Sequence, residues 1–216
     1  MSVDAKLQQD VLAELAWEPS VREASIGVSA LDGVVTLTGN VPNYAGKHAA
    51  ETAAWRVRGV RALADEIEVA VPFEHLRTDE DIAAAAVERL AWDPGVPSGM
   101  VKIRVENGWV TLTGDVDWHY QQEAAGNDVR TLLGVTGISN QTTVRPRANA
   151  TDISHDIATA FRRSWMANPK AIKVTAEGGR IRLTGEVHTL HDWRLAGTTA
   201  WAAPGAASVQ NDITIV

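Results

Sequence analysis

Apolar residues alternate with polar ones at three places in this chain, each time on both sides of a glycine-containing pair. Ile26-x-Val28 precedes Asp32-Gly33, and Val35-x-Leu37 follows it. Val101-x-Ile103-x-Val105, Asn107-Gly108 and Val110-x-Leu112 repeat the pattern, as do Ile172-x-Val174, Gly178-Gly179 and Ile181-x-Leu183. Period-two alternation around residues that tolerate positive φ predicts a β-hairpin with one buried face. Each hairpin ends on an anchor glycine (Gly39, Gly114, Gly185), with a valine two residues later. A helical stretch follows, closed by Gly59, Gly134 or Gly205, which are natural helix C-terminal stops. A last short strand is predicted at Ile67-x-Val69, Thr142-x-Val144 and Ile213-x-Ile215.

A first helix precedes each hairpin. Leu7, Val11, Leu12 and Leu15 form one stripe, Ile82, Ala86, Val87 and Leu90 a second, and Ile153, Ile157, Ala158 and Phe161 a third. Asp4 and Asp79 are the expected N-caps. Trp17 and Trp92 close the first two helices ahead of Pro19 and Pro94 and are expected in the core. In the third copy Trp165 falls two residues out of register.

The predicted class is therefore α+β: three tandem αββαβ modules over residues 1–72, 76–146 and 150–216. Each is a small mixed three-stranded sheet covered on one face by two helices, and the third is partly degenerate. Modules of about 70 residues are close to the lower limit for an independent core. The linkers are short and contain Pro72 and Pro146, which predicts closely spaced modules.

Order and spacing together, Trp-x-Pro-x-Val, a strand, x-Gly-x-Val-x-Leu-x-Gly-x-Val, a helix, Gly-Val and Asn/Asp-x-Ile, resemble the BON domain, the bacterial osmotic-stress and nodulation module. The resemblance covers nearly the whole chain. It departs in the third copy, at Trp165 and at Gly205-Ala206 in place of Gly-Val. It implies an αββαβ fold and non-enzymatic roles: phospholipid binding, osmotic-shock protection, chaperone-like activity or, in one cytoplasmic member, potassium sensing.

Charge and composition narrow the partner. The 216 residues carry a net charge of −7. Residues 1–73 hold 6 Lys+Arg against 10 Asp+Glu, residues 74–146 hold 6 against 11, and residues 147–216 hold 8 against 6. An acidic chain is a poor general binder of nucleic acid, and only the third copy is mildly basic. There is no cysteine, so no disulfide or thiolate metal site is available. Residues 1–10 carry no basic-then-apolar leader pattern, so the expected compartment is the cytoplasm.

Catalytic chemistry finds little support. The glycines Gly33, Gly39, Gly59, Gly108, Gly114, Gly134, Gly179, Gly185 and Gly205 read as turn and cap residues rather than a phosphate cradle. His188-Thr-Leu-His191-Asp192 is the one histidine cluster, and it lacks the further ligands zinc requires. Asp115 with Asp117 and Asp65 with Glu66 are not repeated as pairs in the other copies. No enzyme, metal or cofactor is expected.

Tryptophan gives the sharper signal, with 8 Trp against 2 Phe and 2 Tyr. Trp55 and Trp201 both lie sixteen residues past the anchor glycine, where the second copy has Arg130. At about 100° per residue this position faces away from the Ala49, Ala50, Ala54, Val57 stripe, so both rings should leave their own module's core. With Trp118 and Trp193 they form the expected interaction surface, packed between neighbouring repeats of the chain or offered to a protein partner or a second copy. An anionic membrane contacting Arg162, Arg163 and Arg194 is the alternative partner. A potassium-type sensor, carried by the resemblance alone, is a second alternative.

Overall fold

The computed structural model describes residues 2–21, 25–146, 150–163 and 172–216. Trp165, which marks the third copy's departure from register, lies outside the described residues. The chain divides into two compact units. One comprises residues 1–89, 104–111 and 128–139, the other residues 90–103, 112–127 and 140–216.

In the first repeat, α1 (Val3–Trp17) leads into β1 (Ser25–Leu31), β2 (Val34–Val41), α2 (Tyr44–Arg56) and β3 (Ala62–Val69). Strand β2 is central, antiparallel to β1 and parallel to β3. The middle repeat has α3 (Asp79–Trp92), β4 (Val101–Glu106), β5 (Trp109–Val116), α4 (His119–Arg130), β6 (Gly137–Asn140) and β7 (Thr143–Val144). Its last strand is thus broken in two. The third has α5 (Ala150–Arg163), β8 (Ile172–Glu177), β9 (Arg180–Val187), α6 (Leu190–Trp201) and β10 (Ser208–Ile215), with β9 central. The result is α+β, with three small mixed sheets and six α-helices among the described residues, as the sequence predicts.

The hairpins turn on two residues. Leu31 pairs with Val34 and Glu177 with Arg180. Both turn residues take positive φ: 50° and 80° at Asp32-Gly33, 52° and 76° at Asn107-Gly108. That is the turn whose twist matches the flanking strands.

Equivalent positions carry the cores. Val35, Leu37, Val41, Ala50, Ala54 and Ile67 are buried in the first repeat. Ile181, Leu183, Val187, Ala196, Ala200 and Ile213 take their places in the third. Fully burying one such aliphatic side chain contributes about 1.5–3 kcal/mol, which a bare three-stranded sheet could not collect without its helices.

Three expectations need correction. Leu12 and Val87 are exposed, because the buried stripe is the narrower Leu7-Val11-Leu15 and Ile82-Ala86-Leu90 row. Trp17 and Trp92 are not core residues; each is 81% exposed. Both sit two positions beyond the last buried leucine, about 200° around the helix, and so face away from the sheet. Asp4 and Asp79 are not N-caps either. Ser2 caps α1 by accepting from Ala5 N–H (3.1 Å), and Thr78 exchanges a reciprocal pair of bonds with Asp81 at the start of α3. The two aspartates sit inside the first turn and reach across to the hairpin. Asp32 N–H donates to Asp4 (3.0 Å), and Asn107 and Gly108 N–H donate to Asp79 (both 2.8 Å). Each fastens a helix N-terminus to a strained turn.

Candidate interaction site

Each second helix is pinned to its last strand by one side chain, eight residues past the anchor glycine. Its chemistry changes from repeat to repeat. Lys47 Nζ donates to Ile67 O (2.6 Å), Gln122 Nε2 donates to Thr142 O, and Trp193 Nε1 donates to Ile213 O (3.1 Å). Asp65, Asn140 and Asn211 complete the fastener. Asn140 Nδ2 donates to Gln122 O (2.7 Å) and Asn211 Nδ2 to Trp193 O (3.0 Å). Asp65 has no N–H to give and instead forms an ion pair with Lys47 (2.9 Å).

Trp193 therefore faces inward. It is half-buried, packs on the third repeat's core and spends its indole N–H on the fold.

Trp118 and Trp201 come together. They line an open groove of about 510 Å³ with His119, Tyr120, Glu123, Thr198 and Ala202. The start of α4 forms one wall and the end of α6 the other. The rings of His119 and Trp201 stack with centroids 3.8 Å apart and planes 19° from parallel. Trp118 and Tyr120 lie 6.4 Å apart at 35°. Glu123 Oε1 stands 3.6 Å from His119 Nε2 at the rim. Apolar faces ringed by a few polar groups are the usual make-up of a binding groove.

Trp201 does not leave its own module's core as expected. It packs against the third repeat's core while stacking on His119. It is the last residue of α6, so no further turn screens it from the core side. Trp55, at the same repeat position in α2, is 51% exposed.

Trp17 and Trp92, expected in the core, instead add two projecting indoles at equivalent helix ends. His119 and Tyr120 were missed altogether. The signal was the run Trp118-His119-Tyr120, three rings in succession at a helix start.

Arg162 and Arg163 share the last turn of α5 and are exposed; Arg162 Nη2 donates to Thr159 Oγ1 (2.7 Å). Arg194 lies exposed on α6. The nine turn and cap glycines all have positive φ, between 76° and 136°.

A charged cluster lies on α2. Burial first, then the hydrogen bond and charge of Asp65, push the Glu51 carboxyl up to about 7. Asp65 titrates below the usual carboxylate range; burial opposes this, but its bonds to Glu51, Lys47 and Ile67 N–H prevail. Burial lowers His48, and the positive charge of Arg130 lowers it further. Burial raises Tyr44, which also bonds to the Ile138 backbone in β6 and feels the charge of Arg130. The i,i+4 spacing of Lys47 and Glu51 was a visible hint of this cluster.

Among the described residues no three His, Asp or Glu side chains converge as metal ligands would. No described helix is long and apolar enough to cross a membrane.

A sheet of three strands under two helices, repeated three times, defines a class of small tandem α+β modules. The BON domain model matches residues 3–71, 78–146 and 149–216, and the chain belongs to that family. It is similar to osmotically-inducible protein Y of Escherichia coli (strain K12), with 28% identity over 141 residues, covering 63% of this chain and 70% of that protein. It is also similar to a 21 kDa hemolysin of Actinobacillus pleuropneumoniae, with 28% identity over 138 residues, 62% of this chain and 71% of the other. Among solved structures, CdsD of the Chlamydia trachomatis type III secretion system aligns over 98% of this chain and 92% of its own. Its TM-score is 0.27 at 15% identity, too distant to carry an argument.

Proposed function

We propose that this chain is a non-enzymatic protein of the osmotic stress response that works by contact. Its partners are polypeptides exposing apolar segments, and the contact surface is the groove between α4 and α6. The carrying observation is that groove itself: Trp118, His119, Tyr120 and Trp201 line one open apolar cleft with a single carboxylate, Glu123, at its rim. Aromatic rings bury large area at small entropic cost, which suits a surface that meets partners of varied sequence. The stress context rests on the similarity to an osmotically-inducible protein.

The test is fluorescence anisotropy with a labelled, permanently unfolded chain, such as reduced and carboxymethylated α-lactalbumin, titrated with this protein. Saturable binding that weakens about tenfold or more in Tyr120→Ala supports the reading, since the loss of one well-placed aromatic anchor typically costs upwards of 1 kcal/mol. No binding, or binding indifferent to Tyr120, rejects it.

A further inference from the structure

The groove between α4 and α6 has a chemistry more particular than that of an apolar cleft. Its walls are aromatic rings. Trp118 and Tyr120 are tilted by 35° with centroids 6.4 Å apart, and His119 lies nearly flat on Trp201 at 3.8 Å. Tyr120 is 55% exposed, so its ring stands largely open to a ligand. The volume, about 510 Å³, falls within the range of small-molecule sites.

Charge decides the sign of that ligand. Among the described residues no lysine or arginine lines the groove, and Glu123 is its one carboxylate, 3.6 Å from His119 Nε2. An aromatic face is the negative pole of a quadrupole, and a cation within about 6 Å of a ring centroid is drawn to it. Two tilted rings 6.4 Å apart let one cation reach both, and the carboxylate pulls the same way.

Hydrogen bonding decides the kind of cation. Rings make up most of the lining, and His119 Nδ1 is already engaged with Gln122 Oε1 (3.1 Å). A guanidinium or a primary ammonium brings N–H donors that this groove cannot all pair, and unpaired donors cost affinity. A quaternary ammonium has no donor to leave unpaired, and its methyl groups suit the apolar walls. A phosphocholine headgroup would add a phosphate that the groove has no lysine or arginine to meet, which favours a free solute over a lipid.

We propose that this groove binds a small, singly charged quaternary ammonium cation, of which choline is a simple example, with its methyl groups against Trp118 and Tyr120 and its charge toward Glu123. It rests on the reading of the groove as a contact surface and names a small ligand for it.

An NMR titration of the full chain with choline chloride at pH 8 and constant ionic strength tests this, followed through the tryptophan indole N–H signals. Trp118 and Trp201 should shift saturably, with a Kd in the millimolar range or tighter, while Trp17 and Trp55 stay in place. The neutral isostere 3,3-dimethylbutan-1-ol is the decisive arm, since it keeps the shape and loses the charge. It should bind about fivefold or more weakly. Tyr120→Ala should weaken choline binding to a similar degree, Tyr120→Phe should retain it, and Glu123→Gln should weaken it several-fold. Both residues are exposed, so unchanged dispersion of the remaining signals is expected in each variant. No saturable shift at Trp118 or Trp201, equal affinity for the neutral isostere, or indifference to Tyr120→Ala overturns the proposal. Phosphatidylcholine vesicles should not co-sediment the chain; co-sedimentation that is lost in Tyr120→Ala overturns the assignment to a free solute. Choline binding without binding of the unfolded chain sinks only the reading above, and binding of the unfolded chain without choline binding sinks only this one.

Discussion

The imidazole of His119 and the indole of Trp201 lie in near-parallel contact, 3.8 Å between centroids, joining the start of α4 to the end of α6. Trp55 holds the same repeat position without such a partner. Trp201→Ala should therefore cost about 2–3 kcal/mol, less than a fully buried ring would, because Trp201 is only half-buried. Trp55→Ala should stay within about 0.5 kcal/mol at dilute concentration. Urea unfolding of both variants reads this, and equal losses would deny that Trp201 fastens anything.

The helix-to-strand fastener predicts an exchangeable pair. Lys47→Gln strips Asp65 of its cation, and Asp65→Asn strips Lys47 of its anion. The double variant installs the Gln122–Asn140 arrangement of the middle repeat, in which the amide donates across to the carbonyl and the asparagine donates back. A double-mutant cycle should give a coupling of about 1 kcal/mol, with the double variant nearer to wild type than the sum of the singles. Simple additivity would mean that the two residues act independently.

Glu51 sets a pH dependence. Folded, it holds its proton to about pH 7; unfolded, it releases it near 4.5. Between those values the native state binds more protons, so this group's contribution makes stability fall as pH rises through the window and flatten above 7. Asp65 acts in the opposite sense: its contribution is present above its unfolded value of 3.8 and is lost as pH falls through its lower folded value. Glu51→Gln mimics the protonated form. It should be more stable than wild type at pH 8 by about 1–2 kcal/mol, a figure discounted for partial solvent access, and indistinguishable below pH 4.5. Urea midpoints across pH 4–8 check it, and a constant difference would place the effect elsewhere.

Gly114 and Gly178 should answer substitution differently. A Cβ on Gly114 would collide with the Met100 carbonyl at a φ of 132°, and backbone cannot yield as a side chain can. Gly178, at φ 54°, has open space around it. Gly178→Ala should cost about 1 kcal/mol from the backbone conformation alone, and Gly114→Ala over 3 kcal/mol. Comparable losses in urea would contradict this.

The fold was legible because its determinants are local and appear three times. Asp32-Gly33 and Asn107-Gly108 dictate the turn through backbone sterics, and Val35-x-Leu37 dictates a face through period two. The direction of the tryptophans was legible only where helical phase decides it. Trp55 follows its phase outward. Trp17 and Trp92 follow theirs too, and counting two positions on from Leu15 and Leu90 would have placed them outside. Trp193 turns inward to a bond that no single repeat reveals, because lysine and glutamine make it elsewhere. The groove was hidden for a different reason. It is shared by α4 and α6, which lie in different repeats, and patterns within one repeat do not report contacts between two.

The account stands or falls on that groove as the place where partners bind. Amide hydrogen exchange, with and without the unfolded model chain, locates the contact directly. Protection should appear at residues 118–123 and 198–202 together, with the first-repeat hairpin around Asp32-Gly33 unchanged. Protection confined to other segments, or none at saturating partner, would contradict it.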